Sequence, residues 1–401
     1  MRLDVIEEIV EPADTKIVLL VLDGLGGLPR QKGHLTELEA ADTPNFDDLV
    51  ADSECGLQLP VGAGITPGSG PGHLGLFGYD PLEYRVGRGV LSALGIGFDL
   101  QDRDVAARGN FCTVGPDGVV TDRRAGRIST QTNERLCQKL RSIDLEGVDV
   151  RIETVKEHRF LLVLRGDGLS GEIEDTDPHE VGEKPHSAEP KTPDARQTAE
   201  LVDAFVSQAR EVLADEDPAN MVLLRGFASR PDWPQFPDAY GLDAACIANY
   251  PMYRGVSRLV GMNALEVGEN VGEKFELVED KWDDYDFFFV HEKRTDSSGE
   301  DGDFDMKLTV IEEVDRHLPQ LMDLEPDVLV VTGDHSTPSK LKSHSWHPVP
   351  VFIWGENVRA DAVEEFGDRQ CQTGALGPQF PARDLMALAL ANADRLTKFG
   401  A

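Results

Sequence analysis

The sequence predicts an α/β protein: a core with a mostly parallel sheet, interrupted by an inserted α+β domain. Three observations carry this. KIVLLVLDG (from Lys16), DYDFFFVH (from Asp284) and DVLVVTGDH (from Asp327) are apolar without alternation, which is how parallel strands buried on both faces read. From about residue 100 the texture changes to shorter strands and polar turns, and after about residue 245 strand–helix–strand order returns. A chain of 401 residues also suits two domains better than one. The expected division is a core of 1–97 and 240–401 around an insertion of 98–239.

Taken in order, residues 16–24 form the first strand, and TPNFDDLVAD opens a helix with Thr43 as N-cap and Pro44 at its first position. GAGITPGSGPGHLGLFGYDP, from Gly62 to Pro81, is rich enough in glycine to turn tightly and approach a ligand, with a helix starting at Gly72-His73-Leu74. VAARGNFCTV, GVVTDRRAGRI, VRIETV and HRFLLVLRG read as short antiparallel strands and turns. The Pro-rich stretch 174–197 is a polar loop, QTAELVDAFVSQAREVLADE an amphipathic helix and MVLLRG a buried strand.

The composition sets limits on partners. There are 73 acidic residues against 39 basic, a formal net charge of −34, spread along the chain rather than gathered in a tail. Nucleic acid and anionic membranes would repel such a surface. Arg (26) outnumbers Lys (13), and dispersed carboxylates with scarce lysine suit a salt-loaded cytoplasm, where screening over about 3 Å at molar salt relieves self-repulsion. A halophilic source is the expectation. Five scattered cysteines without CxxC spacing support neither a disulfide framework nor a thiolate metal site. The acidic start lacks a signal-peptide layout, and no apolar run reaches membrane-helix length, so a cytoplasmic protein is expected.

Each long apolar run leads into metal-binding chemistry. The first ends at Asp23; the second is followed by KRTDSSGED with Asp296 and Glu300; the third ends at Asp334 and His335, with His344 nine residues on and His347 close behind. Functional groups in open α/β sheets gather past the carboxyl ends of the strands. Hard carboxylates mixed with imidazoles suit Mn²⁺, Zn²⁺ or Mg²⁺, and two clusters could hold two ions. Asp and Gly also end strands as plain turn formers; three such ends with a His-rich tail favour metal. Ser69, between glycines beside a helix start, is placed to take a phosphoryl group. It lacks the GxSxG elbow, so metal coordination would have to activate it; the alternative is a serine that merely serves a glycine turn.

The expected insertion concentrates arginine: Asp122, Arg123, Arg124 and Arg127 in one turn, His158 with Arg159, and Arg225 with Arg230. In so acidic a chain this reads as a local anion site, since guanidinium grips phosphate and carboxylate bidentately. Surface salt bridges are the competing reading for each arginine.

VLDGLGGLP, ADTPNFDDL, TPGSGPGHLGLFGYDP, GRGVLSALG, DRRAGRI, DTDPH, TDSSGEDGDFD, VVTGDHSTP and HSWHPVPV, in this order from about residue 16 to 355, resemble the archaeal-type cofactor-independent phosphoglycerate mutases, a branch of the alkaline phosphatase superfamily. The resemblance implies an alkaline-phosphatase-like core and conversion of 3-phosphoglycerate to 2-phosphoglycerate in glycolysis and gluconeogenesis. Ser69 would be the nucleophile, passing through phosphoserine without bisphosphoglycerate. One divalent ion would lie between Asp23, Ser69, Asp334 and His335, the other between Asp296, Glu300 and His344. The superfamily usually shows Asp-x-x-x-His in the second cluster; Asp296-Ser-Ser-Gly-Glu300 shifts preference toward hard ions, Mn²⁺ first, with Mg²⁺, Co²⁺ or Zn²⁺ as other candidates. Arg88 of GRGVLSALG and Arg254 join the insertion's residues as implied substrate contacts. A metal-dependent phosphatase or another phosphomutase on this scaffold is the rival reading, and an inactive anion-binding relative a third. The partner is a small phosphoglycerate, with self-association left open.

Overall fold

Ile17–Leu22, Phe287–Glu292 and Val328–Thr332 are neighbouring parallel strands, with Ile17–Leu22 between the other two. Every residue of the three is buried, which is why their sequences carry no alternation. Leu22 lies opposite Glu292 and Val21 opposite Thr332, so Asp23, Lys293 and Gly333–Asp334 leave the sheet at the same carboxyl edge. The structure, a computed structural model, describes residues 2–31 and 33–400.

Contacts divide the chain into two units, Met1–Arg85 with Trp233–Ala401, and Val86–Asp232. The first holds an eight-stranded sheet. Beyond Phe287–Glu292, Ala244–Ile247 and Asn263–Leu265 continue it in parallel. Beyond Val328–Thr332, Val349–Gly355 and Ser53–Leu59 run antiparallel in turn, and Gly377–Pro381 pairs parallel with the latter. The mostly parallel α/β architecture expected from the sequence is therefore present. On one face Val18, Leu20, Phe288, Val290 and Val331 pack against Phe275, Ile311, Val314 and Leu318 of helices Val271–Asp280 and Phe304–Met322. Burying each such side chain is worth roughly 1.5–3 kcal/mol.

The second unit is an antiparallel sheet of Val120–Asp122, Asp104–Val114, Arg159–Arg165, Asp149–Lys156 and Met221–Ala228. Val105, Ala107, Phe111, Phe160, Val222 and Leu224 point into one core with Leu136 and Phe205 of helices Thr130–Leu140 and Arg196–Val212. Strand alternation sends Arg108, Asn110 and Arg225 to the other face, where Arg108 is paired with Arg225 across the strands.

One local expectation holds and one needs correction. Thr43 occupies the N-cap of Pro44–Val50 with Pro44 at the start, as expected, though its side chain makes no cap bond. The Asp315 carboxylate takes that role, accepting from Phe46 N at 2.8 Å and Asn45 N at 3.4 Å. The helix expected from Gly72 begins at Ser69 and runs to Leu76, because Pro71 is tolerated in a first turn whose amides have no intrahelical acceptor. All five cysteines are free and buried, and among the described residues no helix is long and apolar enough to cross a membrane.

Candidate active site

Register delivers the carboxylates. Asp23 and Asp334 emerge beside each other, both fully buried, and His335 Nε2 lies 3.3 Å from Asp23 Oδ1 and 3.2 Å from Asp334 Oδ2. Ser69 Oγ is 3.4 Å from the same nitrogen. The helix that starts with Ser69 reaches this place because Gly72 has no side chain: a Cβ there would stand 2.3 Å from the Asp334 carbonyl oxygen. His73, one turn on, meets the Ser69 carbonyl at 2.8 Å and Asp334 Oδ2 at 3.2 Å through Nδ1, tying serine to carboxylate.

A second group adjoins the first. His344 Nε2 is 3.6 Å from Asp296 Oδ1 and 3.8 Å from Glu300 Oε1, and its ring stacks on His335 with centroids 3.6 Å apart. Asp296 is buried, whereas the Glu300 side chain is 55% exposed at the rim, where burial and Asp296 still raise its pKa. His347 turns away to Ser345 Oγ at 3.0 Å and stacks on Trp346.

Both histidines present a bare nitrogen. His344 Nδ1 faces the Pro67 carbonyl at 2.9 Å and so carries the proton. Thr337 Oγ1 has one proton and gives it to Asp296 Oδ1 at 2.6 Å, so it accepts from His335 Nδ1–H at 2.9 Å. In each neutral ring Nε2 is then the nitrogen that carries the lone pair, the one a metal would take. Asp23 Oδ1 and Asp334 Oδ2 are buried without a hydrogen-bond partner. Orphaned carboxylate oxygens are costly unless paired or coordinated. Asp23, Asp334 and His335 have ligand atoms within 4.8 Å of one another, as do Asp296, His335 and His344. The donor set fits divalent ions.

Sequence reasoning passed over five residues here. Lys293 Nζ lies 3.1 Å from Asp23 Oδ2 and also pairs with Asp296. Burial lowers the pKa of this ammonium, but the two carboxylates outweigh that and raise it. Tyr253 donates its phenol proton to Asp23 and lies against His291 with ring centroids 3.8 Å apart and the planes tilted by 32°; His291 Nε2 is 3.3 Å from Asp23 Oδ2. Burial pushes the His291 imidazole down to about 4. His73 and Thr337 complete the set. Only Lys293, first after a strand and inside EKRTD, left a readable signal.

In the second unit the structure relates several of the arginines. Buried Asp177 accepts from Arg123 Nε at 3.0 Å and Nη2 at 2.7 Å, and Arg225 Nη1 lies 3.7 Å away. Burial and then Arg88 bring the Arg225 guanidinium down to about 10. Asp122 shapes its turn by accepting from Arg124 N at 2.8 Å and Gly126 N at 2.6 Å. Burial, then Arg159, push His158 down to about 4, so it is neutral at pH 7. Arg159 leans on Glu157 at 3.4 Å. Arg88, Arg124, Arg127 and Arg230 are exposed. Arg254 belongs to the first unit, on helix Pro251–Leu259, and reaches Glu266 at 3.1 Å.

A model of the 2,3-bisphosphoglycerate-independent phosphoglycerate mutase family matches residues 51–220. A probable 2,3-bisphosphoglycerate-independent phosphoglycerate mutase of Aquifex aeolicus is 50% identical over 409 aligned residues, covering 100% of both chains. One of Thermotoga maritima is 48% identical over 99% of this chain and 98% of its own. Among solved structures, a Pyrococcus horikoshii protein superposes with a TM-score of 0.83 at 31% identity, covering 96% of this chain and 99% of that one. The cofactor-independent phosphoglycerate mutase of Thermoplasma acidophilum gives 0.70 at 32% identity, covering 94% and 100%.

Proposed function

The chain belongs to the 2,3-bisphosphoglycerate-independent phosphoglycerate mutases, and from that premise we propose that it interconverts 3- and 2-phosphoglycerate through a phosphoserine at Ser69. The observation that carries this reading is Ser69 Oγ beside His335 Nε2, at the start of a helix and next to orphaned carboxylate oxygens. Ser69 Oγ attacks phosphorus, the bond to the C3 oxygen breaks, and glycerate is retained. Its C2 hydroxyl then attacks the phosphoserine and frees the serine.

Each group has a role in this. The helix end at Ser69 offers amides and a positive dipole to the phosphoryl oxygens. Lys293 offsets negative charge between Asp23 and Asp296, and Tyr253 and His291 hold Asp23 in place. Asp23, Ser69, Asp334 and His335 would hold one divalent ion and Asp296, Glu300 and His344 another, Mn²⁺ first. Bound there, the ions would supply Lewis-acid stabilisation and lower the pKa of the serine hydroxyl. The unit Val86–Asp232 is proposed as the substrate-holding domain. Its Arg123, Arg124, Arg127, Arg159, Arg225 and Arg230 are proposed to retain glycerate between the two transfers; Arg88, Asp122 and His158, and Arg254 of the first unit, are further proposed substrate contacts.

The test is 3-phosphoglycerate conversion coupled to enolase, with Mn²⁺, in molar KCl and without added bisphosphoglycerate. Release of free phosphate without 2-phosphoglycerate would replace the mutase by a phosphatase.

The charge supports a cytoplasm rich in salt as a further part of this reading. Repulsion among 73 carboxylates weakens the fold when unscreened, so the melting temperature should climb steadily from about 0.1 M to about 3 M KCl. A flat profile removes the halophilic reading and leaves the chemistry untouched.

A further inference from the structure

Lys307, on helix Phe304–Met322, is fully buried. Its three ammonium protons meet three backbone carbonyls: Gly24 at 2.7 Å, Thr337 at 3.0 Å and Gly26 at 3.2 Å. Burial lowers its pKa, and hydrogen-bonding partners that are carbonyls rather than a carboxylate make it an expensive way to fill a core. The carbonyls it selects are informative. Gly24 follows Asp23 directly, with φ at +66°, and its amide donates to Asp334 Oδ1 at 3.1 Å. Thr337 donates its amide to the same Gly24 carbonyl at 3.1 Å, while its hydroxyl bonds Asp296 and His335. One ammonium therefore ties the turn behind Asp23 to the residue that orients a ligand of each metal group.

We propose that Lys307 is a positioning residue that sets the spacing between the two metal groups, holding Asp23, Asp296 and His335 converged before any ion binds. The inference rests on the two-ion reading above. A methionine would match the volume but leave three carbonyls facing one another, and the turns carrying the ligands would separate. Arginine would keep the charge but spreads its donors in a planar fork that cannot sit on three carbonyls around one point.

Full-length protein titrated with Mn²⁺ and followed by low-temperature electron paramagnetic resonance tests this. Wild type should take up two ions and give an exchange-coupled spectrum. Folded Lys307→Met protein should bind Mn²⁺ about ten- to hundredfold more weakly, the usual scale for outer-shell losses, and show the hyperfine pattern of isolated ions. A lysine with only a structural role would lower the melting temperature of the metal-free protein while leaving Mn²⁺ affinity and coupling unchanged, and that result overturns the proposal. If Lys307→Met does not fold, Lys307→Arg decides the question by the same spectrum. Wild type taking up fewer than two ions would overturn the two-ion reading itself, and this is seen before any substitution is made.

Discussion

Ser69→Ala should abolish mutase turnover, by on the order of 10⁴-fold or more, which is the scale for deleting a covalent nucleophile. The fold and the metal content should stay nearly intact. Among the described residues the hydroxyl makes one hydrogen bond, 3.4 Å to His335 Nε2, so its loss should leave Asp23, Asp334 and His335 where they are. It caps nothing, because the N-cap of its helix is Gly68 and no side-chain cap bond is made there. The tie from His73 runs to the Ser69 carbonyl and survives the substitution. Mass spectrometry of acid-quenched wild type should find phosphate on Ser69. Wild-type turnover in the variant, or phosphate trapped on another residue, would rule the assignment out.

The parallel core is legible in the sequence because its strands are buried on both faces, and such burial writes itself as uninterrupted apolar runs. Asp23, Asp334 and His335 are legible for the same reason: Asp23 and Asp334 are the first charged residues after those runs, His335 follows at once, and register brings the strand ends together. Lys293 also follows a strand, but its partner Asp23 is 270 positions away and nothing local marks the pairing. Tyr253 reaches Asp23 from a helix whose sequence reads as ordinary amphipathic surface and core. Arg108 and Asn110 look like the outward residues of a half-exposed strand, yet Arg108 Nε and Asn110 Oδ1 are buried without partners. The cap of the helix after Thr43 comes from Asp315, a long-range substitution for a local signal. Local chemistry is thus readable where the backbone itself delivers the group, and not where a distant side chain does.

Arg225→Ala should separate the mutase from a phosphatase on the same scaffold. The Arg225 side chain is only 15% exposed, and its Nε is buried without a partner. Across the strand it faces Arg108, whose Nε is likewise unpartnered. Like charges directly opposite each other are unfavourable, and beyond Asp177 at 3.7 Å from Arg225 the proposed reading has the glycerate carboxylate offset them. Removing Arg225 leaves Asp177 with its bidentate partner Arg123, so the second unit keeps its fold. A lost charge-assisted contact of roughly 1.5–3 kcal/mol corresponds to about a ten- to hundredfold drop in turnover. The product ratio is the more telling readout. With glycerate held less firmly it leaves before the return transfer, water attacks the stranded phosphoserine, and free phosphate rises relative to 2-phosphoglycerate. Arg124→Ala should move the ratio in the same direction. Asp296→Asn and His344→Ala should instead suppress both products together, because they remove groups needed to form the phosphoserine at all. If rate and ratio are unchanged in both arginine variants, the arginines are salt-bridge residues and glycerate is retained by something else.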